Sequence, residues 1–454
     1  MQVNIGLGNV TKRSKQLKIG AYFDNHGGHA AAWRHPSVTP ASAMTLSYWQ
    51  NLARICEKAR LDFIFLADTN RVQHLNNPVA MRQSAPTAFF EPLTMLSALA
   101  ATTERLGLVA TMSTTYNQPY SVARLFGSLD RLSEGRASWN VVTSSSSAEA
   151  PNFQADAHLN HDDRYKRAKE FLTIVQGLWD SWEDNSFIFD QENGAYLDEK
   201  KMHYLNYQSE MFSVRGPLNV PRSVQGRPVI FQAGSSDIGR EFGAEMADAL
   251  FTAQSTLEKA QEFYSDVKTR MATYNREPDD IAIFVGVGPI VGRTMAEAED
   301  KFDQLQNLLA PDVALQLLSE VLAADLTTLP PDEPVIDLPA SDGMQSRRDL
   351  LLDKARKEQM TLVDLARFVA AGRGHRQIIG TPTTIADNFQ QWFEEGAADG
   401  FLLAASHLPE GMQDFTELVI PELQRRGIFR TDYEGTTLRE NLGLRQPIHP
   451  FTCQ

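Results

Sequence analysis

The chain has 454 residues, of which 42% are hydrophobic and 9% aromatic, enough to bury a large core. Acidic residues outnumber basic ones by 57 to 43, and the formal charge of −14 argues against nucleic acid or an anionic membrane surface as a partner. The two cysteines, Cys56 and Cys453, supply neither a disulfide framework nor a paired-cysteine metal site. No apolar signal segment or run of about 18 apolar residues is present, so we expect a cytoplasmic protein.

Short apolar runs rich in β-branched and aromatic residues alternate with longer segments of helical period, which is the pattern of βα units. Eight runs are predicted to form strands, at residues 18–23, 63–68, 106–112, 137–144, 228–234, 249–254, 281–291 and 400–405. Amphipathic helices are predicted at residues 48–61, 92–106, 121–132, 164–182 and 384–397. Thr383 is the expected cap of the last helix. Because the strand runs are almost wholly apolar, they indicate a parallel sheet buried on both faces, closed as a (β/α)8 TIM barrel.

Two segments interrupt this rhythm. Residues 183–227 are polar, aromatic and rich in turns, and we expect a small excursion of extended structure and loop there. Residues 302–380 separate the seventh and eighth strands by far more than an ordinary connection, and their proline-rich middle is not expected to be helical. Long loops usually carry function, so we predict a lid or substrate wall. The chain is predicted to be one domain, residues 1–454, with these two insertions.

Polar side chains collect at the ends of the predicted strands, where the active site of a TIM barrel lies. Asp68, Thr111 and Thr143 lie at the ends of the second, third and fourth strands. Ser235 and Ser236 follow the fifth strand and precede a helical pattern, so their turn could bind a phosphate at a helix N-terminus. The alternative is that one of these serines only caps the helix.

The segment that opens the fourth helix carries His161 and Tyr165, which are four residues apart and therefore share a helix face. They could hold one ligand together. His158, Asp162 and Asp163 raise the possibility of a metal, but no third-ligand pattern accompanies them, so no metal site is predicted. The alternative is a solvated helix start in which the two aspartates favour the helix dipole.

The loop after the first strand contains His26, His29, Trp33, Arg34 and His35. Histidine titrates near neutrality, so this loop could bind substrate or move protons. The alternative is a solvated glycine-rich loop whose His35-Pro36 pair terminates a turn. Elsewhere the chain lacks both a complete dinucleotide-binding glycine fingerprint and a GxSxG motif, which argues against a Rossmann NAD site and a serine hydrolase.

Taken in order, a set of motifs spanning essentially the whole chain resembles the bacterial luciferase-like flavin monooxygenases. The similar branch contains nitrilotriacetate monooxygenase, pristinamycin synthase and dibenzothiophene-sulfone monooxygenase. The motifs are AWRHP (32–36), FLAD (65–68), STTYNQPYSVARLFGSLDRLSEGRAS (113–138), WNVVTS (139–144), HDDRY (161–165), RGPLNVPR (215–222), QAGSS (232–236), GAADGF (396–401) and VIPELQRRGIFRTDYEGTTLRENLGL (419–444).

The resemblance implies a barrel that takes reduced FMN from a separate NAD(P)H-dependent flavin reductase and uses O2 to oxygenate a small organic substrate, with cleavage of a C–N or C–S bond or a related oxidation. It also implies a homodimer or homotetramer. The positions that match the family's FMN site are Asp68, Thr111, His161, Tyr165 and Ser235, with Ser236 adjacent and Asn140 and Thr143 as further neighbours.

The remaining candidates are residues for catalysis and substrate contact. His26, His29, Arg34 and His375 are the catalytic candidates, and Trp33, Phe251, Arg373 and Arg376 are the substrate candidates. Two alternatives to a monooxygenase stay open at this point. One is a deazaflavin-dependent oxidoreductase that transfers hydride on the same barrel, and the other is a flavin-binding protein without turnover.

Overall fold

The computed structural model describes residues 16–75, 77–83, 88–144, 146–153, 159–322, 324–326, 328–335, 345–372 and 374–451. Eight parallel strands close into a barrel, in agreement with the predicted runs. Their order around the barrel is β1 (Lys18–Phe23), β2 (Phe63–Leu66), β3 (Gly107–Ser113), β4 (Ala137–Val142), β9 (Val229–Gln232), β10 (Ala249–Thr252), β11 (Ala282–Val291) and β13 (Gly400–Leu403). The barrel closes because β1 pairs with β13 and β10 pairs with β11.

The strands are buried on both faces, which explains why their sequences are almost continuously apolar. Phe63, Phe231 and Phe284 point into the barrel, where the Phe63 ring lies 4.9 Å from that of Phe231 and 5.1 Å from that of Phe284. The opposite faces of the strands pack on the surrounding helices. The barrel interior is therefore a filled core, and its C-terminal mouth is the place for a ligand.

Helices surround the barrel, and all five predicted helices are present with shifted ends. The helices are α1 (Leu46–Lys58), α2 (Pro78–Gln83), α3 (Pro92–Ala100), α4 (Pro119–Leu132), α5 (His161–Trp179), α6 (Asp237–Met246), α7 (Leu257–Met271), α8 (Met295–Asn307), α9 (Pro311–Leu322), α10 (Gln345–Glu358), α11 (Leu362–Gly372), α12 (Pro382–Glu394), α13 (Glu410–Asp414), α14 (Ile420–Arg425) and α15 (Leu438–Leu442). In the parts of the chain that are described, none of them is long and apolar enough to cross a membrane.

The predicted cap of α12 is wrong by two residues. Thr381 is the N-cap, and its hydroxyl accepts a hydrogen bond from the Thr384 N–H at 3.3 Å. Pro382 occupies the first helical position, which suits its fixed φ and its missing N–H, so the helix begins before Thr383.

The first insertion forms extended structure, as expected. Two antiparallel hairpins occupy it, one made by β5 (Phe187–Asp190) and β6 (Ala195–Leu197), the other by β7 (Tyr207–Gln208) and β8 (Ser213–Val214).

The second insertion is more ordered than the expected loop. It contains α9, α10 and α11, and α9 and α11 pack around a hydrophobic core of their own that includes Leu318, Leu365 and Val369. A further strand, β12 (Arg376–Gly380), pairs in parallel with the second half of β11, from Val287 onward. The sequence prediction failed here because the prolines of the middle segment hid the helical period of the residues on both sides.

Candidate active site

Thr111 and Asn140 lie opposite each other on β3 and β4 at the barrel mouth. The side-chain amide of Asn140 donates a hydrogen bond to the Thr111 hydroxyl at 2.9 Å, and both residues are buried. The buried Oδ1 of Asn140 finds no hydrogen-bond partner among the described residues. Because an unpaired buried polar atom costs about 1–3 kcal/mol, this oxygen points to a polar ligand at the mouth.

The turn between β9 and α6 brings three elements together. The Ser236 hydroxyl accepts a hydrogen bond from the Gly239 N–H at 3.2 Å, so Ser236 is the N-cap of α6. A Cβ added to Gly234 would lie 2.6 Å from the Tyr165 hydroxyl and 2.9 Å from the Gly239 Cα. Since contacts this short are not tolerated, only glycine lets the end of β9 approach α5 and α6 so closely.

His161 and Tyr165 occupy one face at the start of α5, as their spacing predicts. Their ring centroids are 5.0 Å apart, and the His161 side chain is about half exposed. The Tyr165 hydroxyl hydrogen-bonds with Ser236 and Gln232, so α5 and the turn after β9 share one polar surface. Gln232 also has a buried side-chain oxygen that no described residue pairs.

Asp68 follows β2 in a partly buried position close to other carboxylates. Burial, and then repulsion by Glu91 and Glu149, raises the pKa of Asp68 to about 6. Glu149 is itself buried, and its Oε2 accepts hydrogen bonds from the Asn70 side chain at 3.1 Å and from the Ser144 hydroxyl at 3.0 Å. A pocket of about 190 Å³ opens beside Asp68, between the ends of β1 and β2.

Sequence reasoning missed Gln232 and Glu149. Gln232 is the last residue of β9, and the rule that strand ends carry the site would have found it. Glu149 belongs to a short 3-10 helix, Ser147–Phe153, which the hydrophobic periodicity of the sequence does not predict. Its importance depends on a contact with Asn70, 79 residues away in the chain.

His26 and His29 are both buried in the loop after β1, so the solvated-loop alternative is wrong for them. His26 Nε2 bonds the Pro40 carbonyl at 2.7 Å, and burial lowers its pKa. His29 Nδ1 accepts from the Ala31 N–H at 3.0 Å. Burial, and then nearby His407, lowers the pKa of His29 to about 4, so its imidazole is neutral at pH 7. Nε2 of His29 has no hydrogen-bond partner within the described segments.

Phe251 and His375 meet over β11. Their ring centroids are 5.4 Å apart, and a Cβ added to Gly286 would lie 2.8 Å from the Phe251 ring and 2.7 Å from His375 Nδ1. Because Gly286 has no side chain, both rings can pack directly against the backbone of β11. The structure brings these two candidates together, although 124 residues separate them in the sequence.

Trp33 and Arg34 fix the first loop to other segments. Trp33 Nε1 donates to the Gln83 carbonyl at 2.8 Å. The exposed Arg34 donates to the Leu308 carbonyl, directly after α8. The guanidinium of Arg34 is therefore engaged by the end of α8, and its catalytic role stays a prediction.

Arg376, which the sequence predicts as a substrate residue, packs against α12 in the structure. Its guanidinium lies 4.0 Å from the centre of the Trp392 ring and donates to Asn388 Oδ1 at 2.8 Å, and both partners belong to α12. Burial lowers its pKa to about 10. The Arg376 side chain thus lies between β12 and α12. Arg373 lies outside the described residues, and Thr143 is half-buried beside Ser144 just after the end of β4.

Comparison of the sequence with known proteins identifies the family of this chain. The sequence model of the luciferase-like monooxygenases matches residues 26–400. The chain is 48% identical to nitrilotriacetate monooxygenase component A of Aminobacter aminovorans, over 96% of this chain and 98% of that protein. It is 46% identical to N-acetyl-S-(2-succino)cysteine monooxygenase of Bacillus subtilis, over 97% of this chain and 100% of that protein. The chain belongs to the luciferase-like monooxygenases.

A solved member of this family agrees with the fold and with the cofactor. A riboflavin lyase crystallised with modified FMN and riboflavin superposes with a TM-score of 0.85 and is 33% identical, covering 96% of this chain and 98% of that one. The chain is accordingly a flavin-dependent monooxygenase that uses FMN and O2. Because the relatives at 46–48% identity are monooxygenases, the comparisons favour this activity over the deazaflavin enzyme and over a flavin-binding protein without turnover.

Proposed function

We propose that this luciferase-like monooxygenase holds reduced FMN across the side of the mouth formed by β2, β3, β4 and β9. Thr111 and Asn140 would contact the flavin ring, with Asp68 and Thr143 nearby. His161, Tyr165, Ser235 and Ser236 would bind the ribityl chain and phosphate. The observation that carries this proposal is the pair of buried oxygens, Asn140 Oδ1 and Gln232 Oε1, that lack partners among the described residues although they border the predicted flavin positions.

Reduced FMN supplies the activation of O2 and the transfer of one oxygen atom to the substrate. The task of the protein is to orient both molecules and to keep water away from them. We propose that Phe251, His375 and Trp33 form the substrate wall, and that neutral His29, whose Nδ1 accepts from the Ala31 N–H, donates a hydrogen bond to the substrate through its Nε2–H. His26 would position this loop through its bond to the Pro40 carbonyl.

We propose a small organic substrate with a C–N or C–S bond, and specifically a carboxylated amine or thioether. The support is that the two relatives at 46–48% identity are named for nitrilotriacetate and N-acetyl-S-(2-succino)cysteine. The helices of residues 302–380 would form one wall of the substrate cavity as part of a single domain, residues 1–454, with insertions at about 183–227 and 302–380.

The protein is proposed to work in the cytoplasm as the oxygenase of a two-component system. A separate NAD(P)H-dependent flavin reductase would supply reduced FMN, since one relative is a component A. We also propose that the chain forms a homodimer or homotetramer.

The test combines the purified chain with FMN, NADH, a generic flavin reductase and 18O2. We expect product carrying one labelled oxygen atom from a carboxylated thioether or tertiary amine, and little from an uncarboxylated thioether. Thr111→Val should weaken binding of reduced FMN about 5- to 10-fold, because Asn140 loses its acceptor, while Thr111→Ser should not. Labelled product only from the uncarboxylated compound would contradict the substrate proposal. Unchanged FMN affinity in Thr111→Val would contradict the proposed flavin position.

A further inference from the structure

Three potential metal ligands converge where the loop after β1 meets the loop after β13, and none of them belongs to the proposed flavin or substrate contacts. They are His35 in the loop after β1, His407 in the loop after β13, and Glu410 at the start of α13. One ligand atom from each lies within 4.8 Å of the other two. The rings of His35 and His407 have centroids 4.2 Å apart, and His407 Nε2 is 3.5 Å from Glu410 Oε2.

Hydrogen bonds at the other ring nitrogens orient both histidines. His35 Nδ1 bonds the Ser37 hydroxyl at 2.8 Å, and His407 Nδ1 bonds the Ser406 hydroxyl at 3.1 Å. In His407, an Nδ1 that donates to the Ser406 hydroxyl leaves the lone pair of Nε2 for a metal, which is how outer partners fix the tautomer of a ligating histidine. His35 Nδ1 also accepts a hydrogen bond from the Ser37 N–H at 3.3 Å, so a metal bound at Nε2 of His35 would displace the proton from that nitrogen. Ser37 also hydrogen-bonds with Glu410.

His407 supplies the observation that points to a ligand. Its side chain is only 5% exposed, and among the described residues its Nε2 has only a long contact, 3.5 Å, with Glu410 Oε2. The 3.5 Å separation from Glu410 is too long for a good hydrogen bond, but it matches the edge of a tetrahedral site, which is roughly 3.3–3.6 Å for bonds of about 2.0–2.2 Å. An ion bound by both side chains would satisfy this buried nitrogen better than the long contact with the carboxylate does.

Lys301, a cation whose charge acts on His407, is engaged by other carboxylates. Lys301 on α8 is paired with Asp414 at 2.7 Å and with Glu297 at 3.4 Å. Glu410 therefore remains available to an ion beside the two imidazoles.

We propose that His35, His407 and Glu410 form a binding site for one divalent transition-metal ion of the zinc class. Two imidazole nitrogens and one carboxylate oxygen are a ligand set that zinc prefers, with water as the fourth ligand. The ion would join the loop after β1 to the loop after β13. These loops already share hydrogen bonds from the Gly28 N–H to the Ala405 carbonyl, 2.8 Å, and from the Leu408 N–H to the His26 carbonyl, 2.7 Å.

The proposed role is structural: the ion fixes the loop that carries His26 and His29. Metal binding in the folded state stabilises that state in proportion to the logarithm of the free metal concentration. The site thus predicts a metal-dependent melting temperature that does not depend on FMN or on substrate.

The experiment uses the full chain without an affinity tag, stripped with a chelator and then titrated with Zn2+ against a chromogenic competitor. We expect one ion per chain, and with Co2+ the visible absorption of a tetrahedral complex. His35→Gln and Glu410→Gln should each weaken Zn2+ binding by more than about 10-fold, the cost of losing even an outer partner. They should also abolish the Zn2+-dependent rise in melting temperature.

Glu417→Gln is the matched control, because Glu417 is an exposed carboxylate seven residues further along the same helical segment. It should bind Zn2+ like the unchanged chain. Both ligand variants alter side chains that are at least partly exposed, so folding is expected to survive and is checked by circular dichroism. Absence of stoichiometric Zn2+ binding, or equal affinity in Glu410→Gln and Glu417→Gln, would overturn the proposal. The titration uses neither FMN nor substrate, so its result is independent of the proposed function.

Discussion

The two halves of the barrel mouth are built from contacts of very different range. We call the ends of β2, β3, β4 and β9 with the starts of α5 and α6 the flavin half, and the ends of β1, β10, β11 and β13 with the loops above them the substrate half. In the flavin half, Asn140 bonds Thr111, 29 residues away. In the substrate half, the Ala30 N–H bonds the Ala370 carbonyl. The flavin half is thus specified by neighbouring βα units, and the substrate half by segments that meet only in the folded chain.

The halves also differ in the direction in which burial shifts the pKa values of their titratable residues. The flavin half holds Asp68, whose pKa is raised to about 6 by burial and nearby carboxylates. The substrate half holds His29 and His407, whose pKa values are both lowered to about 4, chiefly by burial. Both shifts favour the neutral forms, so acidification should affect the two halves in opposite directions.

The largest effect is expected from Gly234→Ala in the flavin half. The added Cβ would lie 2.3 Å from Gln232 Nε2 as well as 2.6 Å from the Tyr165 hydroxyl, so the turn must move. Overpacking of this kind costs about 1–3 kcal/mol, which corresponds to a loss of up to about 100-fold in FMN affinity. Fluorescence titration with FMN measures the loss. Gly127→Ala, where the nearest atoms are 3.5 Å away, should bind FMN normally. Equal affinities in the two variants would refute the proposed phosphate end.

The second largest effect is expected on the pH dependence of the free energy of unfolding, through His29 in the substrate half. Because the folded-state pKa of His29 is about 4, against 6.5 for an unperturbed histidine, its contribution to stability is complete above pH 6.5 and is lost as the pH falls toward 4. Between about pH 7.5 and about pH 5 this loss is about 2 kcal/mol. His29→Gln should reduce the pH dependence by that amount in urea unfolding. If His29→Gln left the slope of unfolding free energy against pH unchanged, His29 would have to be solvated rather than buried.

Asp68 should give a smaller effect of opposite sign. The acid has its raised pKa in the folded state, so stability falls as the pH rises from about 4 to about 6. With solvent screening, the expected loss is up to about 1 kcal/mol. Asp68→Asn should therefore be more stable than the unchanged chain at about pH 7.5 and equal to it near pH 4. Lower stability of the variant at the higher pH would show that the aspartate is stabilised by a partner.

The smallest kinetic effect is expected at Arg376. Its contacts are with Asn388 and Trp392 on α12, so Arg376→Lys should lower the melting temperature and leave KM for the substrate nearly unchanged. Phe251→Leu, which alters the ring that meets His375, should raise KM. Steady-state kinetics of both variants test the assignment. A raised KM in Arg376→Lys would return this residue to the substrate wall.

What could be predicted from the sequence follows the same division. The eight strands, and the approach of Tyr165 to the turn after β9, follow from local periodicity and from the rule that strand ends carry the site. The burial of His26 and His29, the meeting of Phe251 with His375, and the engagement of Arg376 by α12 depend on long-range packing. No local pattern encodes these contacts, nor those that engage Arg34 with the end of α8.

The separate hydrophobic core of α9 and α11 affects which part of the protein unfolds first. This core is a cluster separate from that of the barrel and meets the rest of the chain at Ala30, Ala31 and Val79, whereas the barrel core is continuous with the surrounding helices. Parts of a protein with an independent core can unfold locally at a lower free energy than the whole. Amide hydrogens of α9 and α11 should therefore exchange with deuterium together, as one cooperative unit, and well before those of β3 and β4.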